Sequence, residues 1–291
     1  MFEYIKSLIL GVVAGITAPL PVSSSGHFSF AEKLLGFAAT RDESEFYYSV
    51  FMIVFSIVMM INIKDLYFKM FSGISKNLKN YALRSGNLLV AIASGAVLFV
   101  PIPKLGRSLA DYFNLFFDSE NIFNSLLIGG ASVLTGFILV ISVWYIKKGK
   151  GSKKKTVPVR SALRMYIYSI PGYIIPGTSK VALSSVNLAL CDVNRDVIFR
   201  EMYFYLAPQI LVVNVIKVIL LFNKGVRPES MSLLVGAVAV ALAAFLVIAI
   251  IRKSDSGKVL LLFSIYSIIF GAGVIAYTLL PYFSVIQISF N

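Results

Sequence analysis

Charged residues are scarce in this chain, and cysteine, histidine and tryptophan are nearly absent. Only 14% of the 291 residues are charged and 58% are hydrophobic, with a mean hydropathy of +0.83. A soluble domain has about a quarter charged and about 45–50% apolar residues. The shortage of charge excludes a soluble globular domain. It predicts an integral membrane protein whose excess apolar surface faces lipid.

Acidic residues are also few, 14 against 27 Lys and Arg, which leaves a net charge of +13. In a soluble protein this charge would suggest a nucleic-acid partner, but here the Lys and Arg lie in loops between apolar stretches. We therefore predict no nucleic-acid partner, and we expect the basic loops to meet anionic lipid headgroups. The single cysteine, Cys191, excludes an intrachain disulfide and a cysteine-based metal cluster.

Apolar stretches long enough to span a membrane occur six times along the chain. Crossing about 30 Å of hydrocarbon takes about 20 residues. The stretches are residues 46–63, 85–100, 122–146, 197–222, 231–251 and 259–280. The loop 64–84 and the linker 147–164 are rich in Lys and Arg, whereas the loop between the second and third stretches is nearly neutral. This bias predicts a multi-pass protein whose basic loops are cytoplasmic.

Two further apolar regions, residues 5–37 and 165–190, are interrupted by proline, glycine and hydroxyl residues. We call residues 19–27 the first break and residues 171–180 the second break. Backbone freed by a break is tolerated at membrane depth only where it is buried in protein or lines a wet cavity. By the loop assignment, the first region enters and leaves from outside and the second from inside. Both are therefore predicted to be re-entrant helix pairs.

The two halves of the chain follow one pattern. Pro21 and Pro176 each precede a Ser/Thr cluster, and Arg41-Asp42 recurs as Arg195-Asp196. Each half runs broken hairpin, span, loop and span, starting from opposite sides of the membrane. This order predicts one all-α membrane domain, residues 1–291, with six transmembrane helices and two re-entrant hairpins in an inverted-topology repeat. Its parts are repeat one at about 1–103, a basic linker at 147–164, repeat two at about 163–252, and a final span at 259–280.

Polar groups concentrate at the two breaks, and inside a membrane such groups are a functional hypothesis by default because they are costly there. Those of the second break include Lys180, and the serines that follow it are Ser184 and Ser185. The free N–H groups of a helix N-terminus bind anions, phosphate above all. Two such N-termini facing each other, with Lys180 between them, predict a phosphate site near the midplane. Either cluster alone would more often serve packing between helices, but two clusters that each follow a proline break, one of them with a lysine, favour a site.

The string Leu20-Pro21-Val22-Ser23-Ser24-Ser25-Gly26-His27, with residues 11–19 before it, resembles the N-terminal signature of the bacterial undecaprenyl-diphosphate phosphatases, the bacitracin-resistance family. Pro176-Gly177-Thr178-Ser179-Lys180 is similar to the second signature of that family, Pro-Gly-x-Ser-Arg-Ser. Residues 200–207 resemble its Ser-Glu-Phe-Ser-Phe-Leu-Leu-Ala segment. The resemblance implies the six-span inverted repeat, the bacterial cytoplasmic membrane, and a polyprenyl phosphate or diphosphate lipid as ligand. It leaves a homodimer open.

The roles that follow from this resemblance are those of a phosphatase. A serine, Ser24 or Ser25, would attack the terminal phosphorus, while His27 would relay the proton and Lys180 would stabilise the transferring charge. The residues expected to bind the substrate are Ser23, Gly26, Gly177, Thr178, Ser179, Ser184 and Glu201.

The chain departs from the family pattern at acidic positions. The first signature of the family contains Glu-Gly-x-Thr-Glu, and Ala14 and Ala18 occupy its two glutamate positions here. The resemblance implies Mg²⁺ or Ca²⁺, but these positions lack the oxygen ligands that such cations need, so the metal stays unassigned. Glu32 and Glu201 are the candidates for a substitute acid.

Two functions remain open at this point. One is a phosphatase of reduced or absent activity. The other is a non-catalytic polyprenyl-phosphate binding protein or flippase, which would bind and move the same lipid without cleaving a bond. A transporter of an unrelated small solute would require the long first signature to be a coincidence.

Overall fold

The computed structural model describes residues 2–37, 40–72, 78–103, 106–116, 121–148, 159–191, 193 and 198–289. Within these ranges the chain forms α-helices and no β-strand. The helices are α1 (Phe2–Thr17), α2 (Ser24–Leu35), α3 (Arg41–Asn62), α4 (Lys64–Ser72), α5 (Leu78–Val97), α6 (Leu109–Phe116), α7 (Ile122–Lys148), α8 (Val159–Ser169), α9 (Pro171–Ile174), α10 (Lys180–Leu190), α11 (Ile198–Asn223), α12 (Ser230–Ile251) and α13 (Ser256–Ser289).

Five of these helices are long and apolar enough to cross a membrane, namely α3, α7, α11, α12 and α13. Each coincides with one of the six predicted spans, and together they confirm an all-α fold with five helices capable of crossing a membrane. The predicted span 85–100 falls largely within α5, a helix of 20 residues that is not among the five. The first half of α5 includes Lys79 and Arg84, which lower its hydropathy, so its crossing of the membrane stays a prediction.

Both predicted breaks interrupt helices. α1 ends at Thr17 and α2 begins at Ser24, while the short α9 separates α8 from α10, which begins at Lys180. The flanking helices α1, α2, α8 and α10 have 16, 12, 11 and 11 residues. Each is shorter than the roughly 20 residues that a full span takes. Proline and the serine N-caps explain the interruptions, because proline lacks an N–H and serine favours helix starts.

Two close helix seams hold the regions around the breaks. α1 packs along α12, where a Cβ added to Gly11 would lie 2.2 Å from the carbonyl oxygen of Gly236. α7 packs along α13, where a Cβ on Gly129 would lie 2.8 Å from the carbonyl oxygen of Gly271. Small residues allow such backbone approach in membrane helices. The seams fix α1, which leads into the first break, and α7, which touches the second.

Some predictions fall outside the described residues. They concern residues 149–158 of the basic linker, residues 73–77 of the loop 64–84, and the Arg195-Asp196 pair. The bounds of the repeats and the side of the membrane on which each loop lies stay predictions.

Candidate functional site

The two breaks meet in the centre of the helix bundle. A Cβ placed on Gly26 would lie 3.1 Å from the Cα of Gly177 and 3.2 Å from its nitrogen. Ile128 of α7 touches both glycines, since a Cβ on Gly177 would come within 2.4 Å of its carbonyl oxygen. Gly177 also has a φ of +97°, which residues with a side chain rarely adopt. The two glycines therefore permit direct backbone contact between the breaks.

Each break ends in a helix capped by serine. The hydroxyl of Ser23 accepts a hydrogen bond of 3.1 Å from the backbone N–H of Gly26 at the start of α2. The hydroxyl of Ser179 accepts one of 3.1 Å from the N–H of Ala182 at the start of α10. A serine cap satisfies one of the free N–H groups of a helix start and leaves others. The contact between the glycines brings these two helix starts close together.

Lys180 brings the positive charge of the second break into the protein interior. The side chain is buried, its Nζ donates to the carbonyl oxygen of Gly172 at 2.9 Å, and it lies 4.7 Å from the ring centre of Tyr173. A Cβ on Gly172 would lie only 2.5 Å from Cγ of Lys180, so glycine is needed there. Within the described ranges, no carboxylate forms an ion pair with Lys180. A buried charge in this state favours an anionic ligand.

Side chains from α7 and α11 hold the backbone of the breaks. Ser132 and Thr135 of α7 donate to the carbonyl oxygen of Gly177 at 3.3 and 3.5 Å. Tyr203 of α11 donates to the carbonyl oxygen of Pro19 at 2.6 Å. Buried carbonyl groups need such partners once the helix no longer supplies them. The sequence did not identify these supporting residues, because each lies far along the chain from the group that it binds.

The serines of the first break form a buried hydroxyl network. The Oγ of Ser24 lies 2.9 Å from the hydroxyl of Tyr48 and 3.9 Å from the sulfur of Met52, both on α3. The Oγ of Ser25 lies 3.3 Å from that of Ser23. All three serines are buried. Tyr48 is thus a neighbour of the predicted nucleophile that sequence reasoning missed.

His27 is held by the last helix of the chain. Its Nδ1 lies 2.6 Å from the carbonyl oxygen of Ser23, which can only accept, so Nδ1 carries a proton. In the neutral ring, Nε2 then accepts from the hydroxyl of Tyr266 at 2.9 Å. The ring also stacks on Phe270, with centres 3.7 Å apart. These bonds engage both ring nitrogens with groups other than the predicted nucleophilic serines.

The remaining predicted residues differ in their surroundings. Thr178 is half-buried beside Gly177, and Ser184 is buried with no hydrogen-bond partner for its hydroxyl among the described residues. Glu201 is buried and forms an ion pair of 2.9 Å with the partly buried Arg84 of α5. Glu32, the other candidate acid, accepts from the hydroxyl of Ser44 at 2.6 Å. Both carboxylates therefore have hydrogen-bonding partners outside the two breaks.

The described residues do not fit a divalent cation. Ala14 and Ala18 are buried in the apolar core. In the part of the chain that the structure describes, no group of three or more His, Cys, Asp and Glu is close enough to hold a metal ion. Mg²⁺ and Ca²⁺ bind through oxygen ligands, most of all carboxylates.

A buried ion pair lies near the second break and was not singled out from the sequence. Lys217 of α11 and Glu45 of α3 are 2.5 Å apart, and both side chains are buried. Lys217 is close enough to Lys180 for the two ammonium groups to repel each other. A lone charge inside an apolar stretch is a signal that the sequence does carry. The pairing itself joins residues on two distant helices and could not be deduced.

Comparison with known proteins identifies the relatives of this chain. The profile of the family described as bacitracin resistance protein BacA matches residues 7–273. An undecaprenyl-diphosphatase of Campylobacter fetus is 26% identical over 285 residues, which cover 95% of this chain and 100% of the relative. One of Lachnoclostridium phytofermentans is 25% identical over 96% of this chain and 98% of its own length. One of Campylobacter jejuni is 27% identical over 92% of each chain.

Proposed function

Because the chain belongs to the bacitracin resistance protein BacA family, we propose that it acts on undecaprenyl diphosphate, the polyprenyl lipid carrier of bacterial cell-wall synthesis. The lipid headgroup binds between the two breaks, and the polyprenyl chain extends into the surrounding bilayer. The protein lies in the bacterial cytoplasmic membrane. Hydrolysis of the terminal phosphate is slow, because the carboxylates of the family signature are replaced by Ala14 and Ala18.

One observation supports this proposal above the others. The contact of Gly26 with Gly177 brings two serine-capped helix starts together beside Lys180, a buried cation that has no carboxylate partner among the described residues. Free N–H groups at helix starts and a nearby cation are the groups that bind phosphate oxygens. In this proposal Lys180 supplies charge, the first turns of α2 and α10 supply N–H donors, and Ser24 or Ser25 faces the phosphorus.

A second function, that of a non-catalytic lipid-phosphate binding protein or flippase, is favoured by two features, one just before the first break and one within it. The buried residues Ala14 and Ala18 provide no acid or base. The ring nitrogens of His27 are engaged by Ser23 and Tyr266, so His27 is not held as a base for a serine in this arrangement. Binding without cleavage needs neither group, and alternating access in an inverted repeat would move the bound lipid.

An inverted repeat is supported by the way the helices pack in corresponding pairs. The contact of α1 with α12 has a counterpart in that of α8 with α5, and the contact of α12 with α3 has one in that of α5 with α11. The contact between α1 and α2 likewise corresponds to the contact between α8 and α10. We propose that α5 is the sixth span, and that α1–α2 and α8–α10 are the re-entrant hairpins.

The proposed orientation is tested by labelling single cysteines in a Cys191→Ser background with a membrane-impermeant thiol reagent on intact cells. A cysteine at Lys253, in the turn between α12 and α13, should be protected. One at Lys224, in the turn between α11 and α12, should be labelled. Both positions are exposed in the structure, so accessibility within the fold does not confound the comparison. Labelling at Lys253 and protection at Lys224 would reverse the orientation.

The activity is tested by phosphate release from undecaprenyl diphosphate with purified protein, with and without Mg²⁺, beside a measurement of lipid binding. We expect binding in both conditions and release far below that of a family member with both glutamates. Release at a comparable rate would show that other groups do the work of the missing carboxylates. Lack of binding would reject the lipid as ligand.

A further inference from the structure

A cavity opens where α5 and α11 end and α3 begins. Its volume is about 440 Å³. Its walls include two buried charged residues, Glu45 and Lys217, and more exposed residues at the end of α11, among them Asn223 and Lys224. Lys217 lies six residues before the end of α11, about 9 Å along the helix axis. The cavity therefore reaches from the end of the bundle to the buried ion pair.

The inner end of this cavity carries more positive than negative charge. Lys217 is paired with Glu45, whereas Lys180, which is also buried and repels Lys217, forms no ion pair with a carboxylate among the described residues. The other acid of the cavity, Asp111, accepts hydrogen bonds from the N–H and hydroxyl of Ser108. Uncompensated buried charge is unfavourable. The excess of buried positive charge therefore favours an anion at the inner end of the cavity.

The carboxylate of Glu45 adds a second requirement on that anion. Its Oε1 accepts from Lys217, but its buried Oε2 has no hydrogen-bond partner among the described residues. A buried acceptor without a donor is costly, so a ligand that fills the site gains by donating a hydrogen bond to it. The same ligand must offer acceptor oxygens to Lys217. A phosphate that retains one proton meets both requirements, whereas sulfate at neutral pH has acceptor oxygens and no O–H.

The same face of α3 links this pair to the first break. Glu45, Tyr48 and Met52 are spaced three and four residues apart, so they share one side of the helix. Tyr48 and Met52 contact Ser24 of the first break. Lys217, which lines the cavity, is close enough to Lys180 of the second break for the two ammonium groups to repel each other. The ion pair thus lies between the cavity and both breaks.

We infer that the cavity is a binding site for a protonated phosphate group, with Lys217 donating to its oxygens and Oε2 of Glu45 accepting from its P–OH. The site rests on the proposed function, because the phosphate is either the terminal group of the lipid diphosphate or free hydrogen phosphate on its way to or from the breaks. No bond forms or breaks at this site. Glu45 selects a protonated oxyanion, and Lys217 supplies the charge that attracts it.

The test is the ratio of phosphate to sulfate affinity, measured on the purified full chain in detergent at neutral pH, without lipid, with inorganic phosphate and sulfate as probes. The wild-type protein should prefer phosphate by about tenfold or more, the value of one hydrogen bond to a charged group. Glu45→Gln should bring the ratio of phosphate to sulfate affinity close to one. The Gln amide can donate a hydrogen bond to sulfate, and Lys217, without its counter-ion, attracts either anion. Lys217→Met should weaken both anions by about tenfold or more.

Glu32→Gln is the matched control. Glu32 is also a buried carboxylate, and it accepts a hydrogen bond from Ser44, the residue that precedes Glu45 on α3. Unlike Glu45, Glu32 does not line the cavity. Its ratio should equal that of the wild type. A ratio near one in the wild-type protein would overturn the inference. So would an equal loss in Glu32→Gln and Glu45→Gln, which would indicate a general effect of neutralising a buried acid. Because the readout is a ratio, a uniformly destabilised variant does not imitate the expected result.

A second arm separates the two sources of the phosphate. Farnesyl diphosphate, a short polyprenyl diphosphate, is titrated against protein saturated with inorganic phosphate. Competition that Glu45→Gln relieves would assign the cavity to the terminal phosphate of the lipid head, and simultaneous binding would assign it to free phosphate. Either result supports the site. Failure of Lys180→Ala to weaken farnesyl diphosphate would reject the proposed lipid site while leaving the phosphate-to-sulfate ratio, and hence the cavity, intact.

Discussion

The two breaks share a plan but differ in the chemistry that they contribute. Each ends in a serine-capped helix, and each has a glycine at the point of contact, Gly26 in the first and Gly177 in the second. The first break is neutral, with hydroxyls and an imidazole bonded to tyrosines. The second carries the cation Lys180.

This difference indicates a division of roles. A neutral network of short hydrogen bonds holds geometry, whereas a buried cation supplies binding energy for an anion. The two glutamate positions of the family signature, which precede the first break, are Ala14 and Ala18 here, so the charge of the candidate site comes from Lys180 of the second break and from the Glu45–Lys217 pair. We therefore expect substitutions in the second break to affect ligand binding more than those in the first.

The largest effect is expected from restoring charge to the side of the first break. Ala14→Glu with Ala18→Glu and Lys180→Arg should raise Mg²⁺-dependent phosphate release from undecaprenyl diphosphate by about 10²–10⁴-fold, the usual contribution of a positioned acid or base. Positions 14 and 18 are four residues apart and thus on one helix face. The same variant with Gln at both positions is the size-matched control. An equal gain in the Gln variant would contradict a role for the carboxylates.

The second-largest effect is expected from removing the positive charge of the second break. Lys180→Met keeps an unbranched side chain and should weaken undecaprenyl phosphate binding by about 10–100-fold, since hydrogen bonds to charged groups contribute about 1.5–3 kcal/mol. His27→Gln, the corresponding change in the first break, should weaken binding by less than about tenfold. Equilibrium binding to the purified variants measures both. If His27→Gln lost as much affinity as Lys180→Met, the two breaks would contribute equally and the comparison would fail.

Substitution by alanine of the two glycines at the contact, Gly26 and Gly177, should destabilise the protein to different extents. Gly177→Ala forces a side chain onto a φ of +97° and within 2.4 Å of the carbonyl oxygen of Ile128, so it should cost about 3 kcal/mol of unfolding free energy. Gly26→Ala meets its neighbours at 3.1–3.2 Å and should cost about 1 kcal/mol. Denaturant titration in detergent measures both. Equal costs would contradict the positive φ of Gly177 and its close approach to Ile128.

The smallest effects, and the sharpest test of what the breaks share, concern the caps. Ser23→Ala and Ser179→Ala each remove one hydrogen bond of 3.1 Å to a helix N–H. Each should lower the unfolding free energy by about 1 kcal/mol. Similar losses would support equivalent caps, and a much larger loss at Ser23 would point to its additional contact with Ser25. Ser29→Ala, at a buried serine inside α2, is the control.

Much of the architecture is predictable from short-range sequence signals. Pro19, Pro21 and Pro176 mark the interruptions, and Ser23 and Ser179 mark the helix starts after them, as the structure has them. Five spans follow from runs of apolar residues. The family signature also led correctly to the BacA family. All of these signals act over a few residues or through the length of an apolar run.

The contacts that complete the candidate site act across the chain and have no such signal. Tyr48 reaches Ser24, Tyr266 reaches His27, and Lys217 reaches Glu45. Tyr48, Tyr266 and Lys217 lie on α3, α13 and α11, whose sequences read as ordinary apolar spans. Which face of a span meets which neighbour depends on packing, and aromatic residues in a membrane span are as common at the lipid surface as in a site.

The hydrogen bond between His27 and Tyr266 has a consequence for how the protein is made. Its two residues are 239 positions apart, so a ribosome working at about 5–20 residues per second needs roughly 12–48 s between them. During that interval α1 and α2 have been synthesised, while α13, which carries Tyr266, has not. His27 can take up its final orientation only after the last helix inserts, which makes the C-terminal helix a late checkpoint in biogenesis.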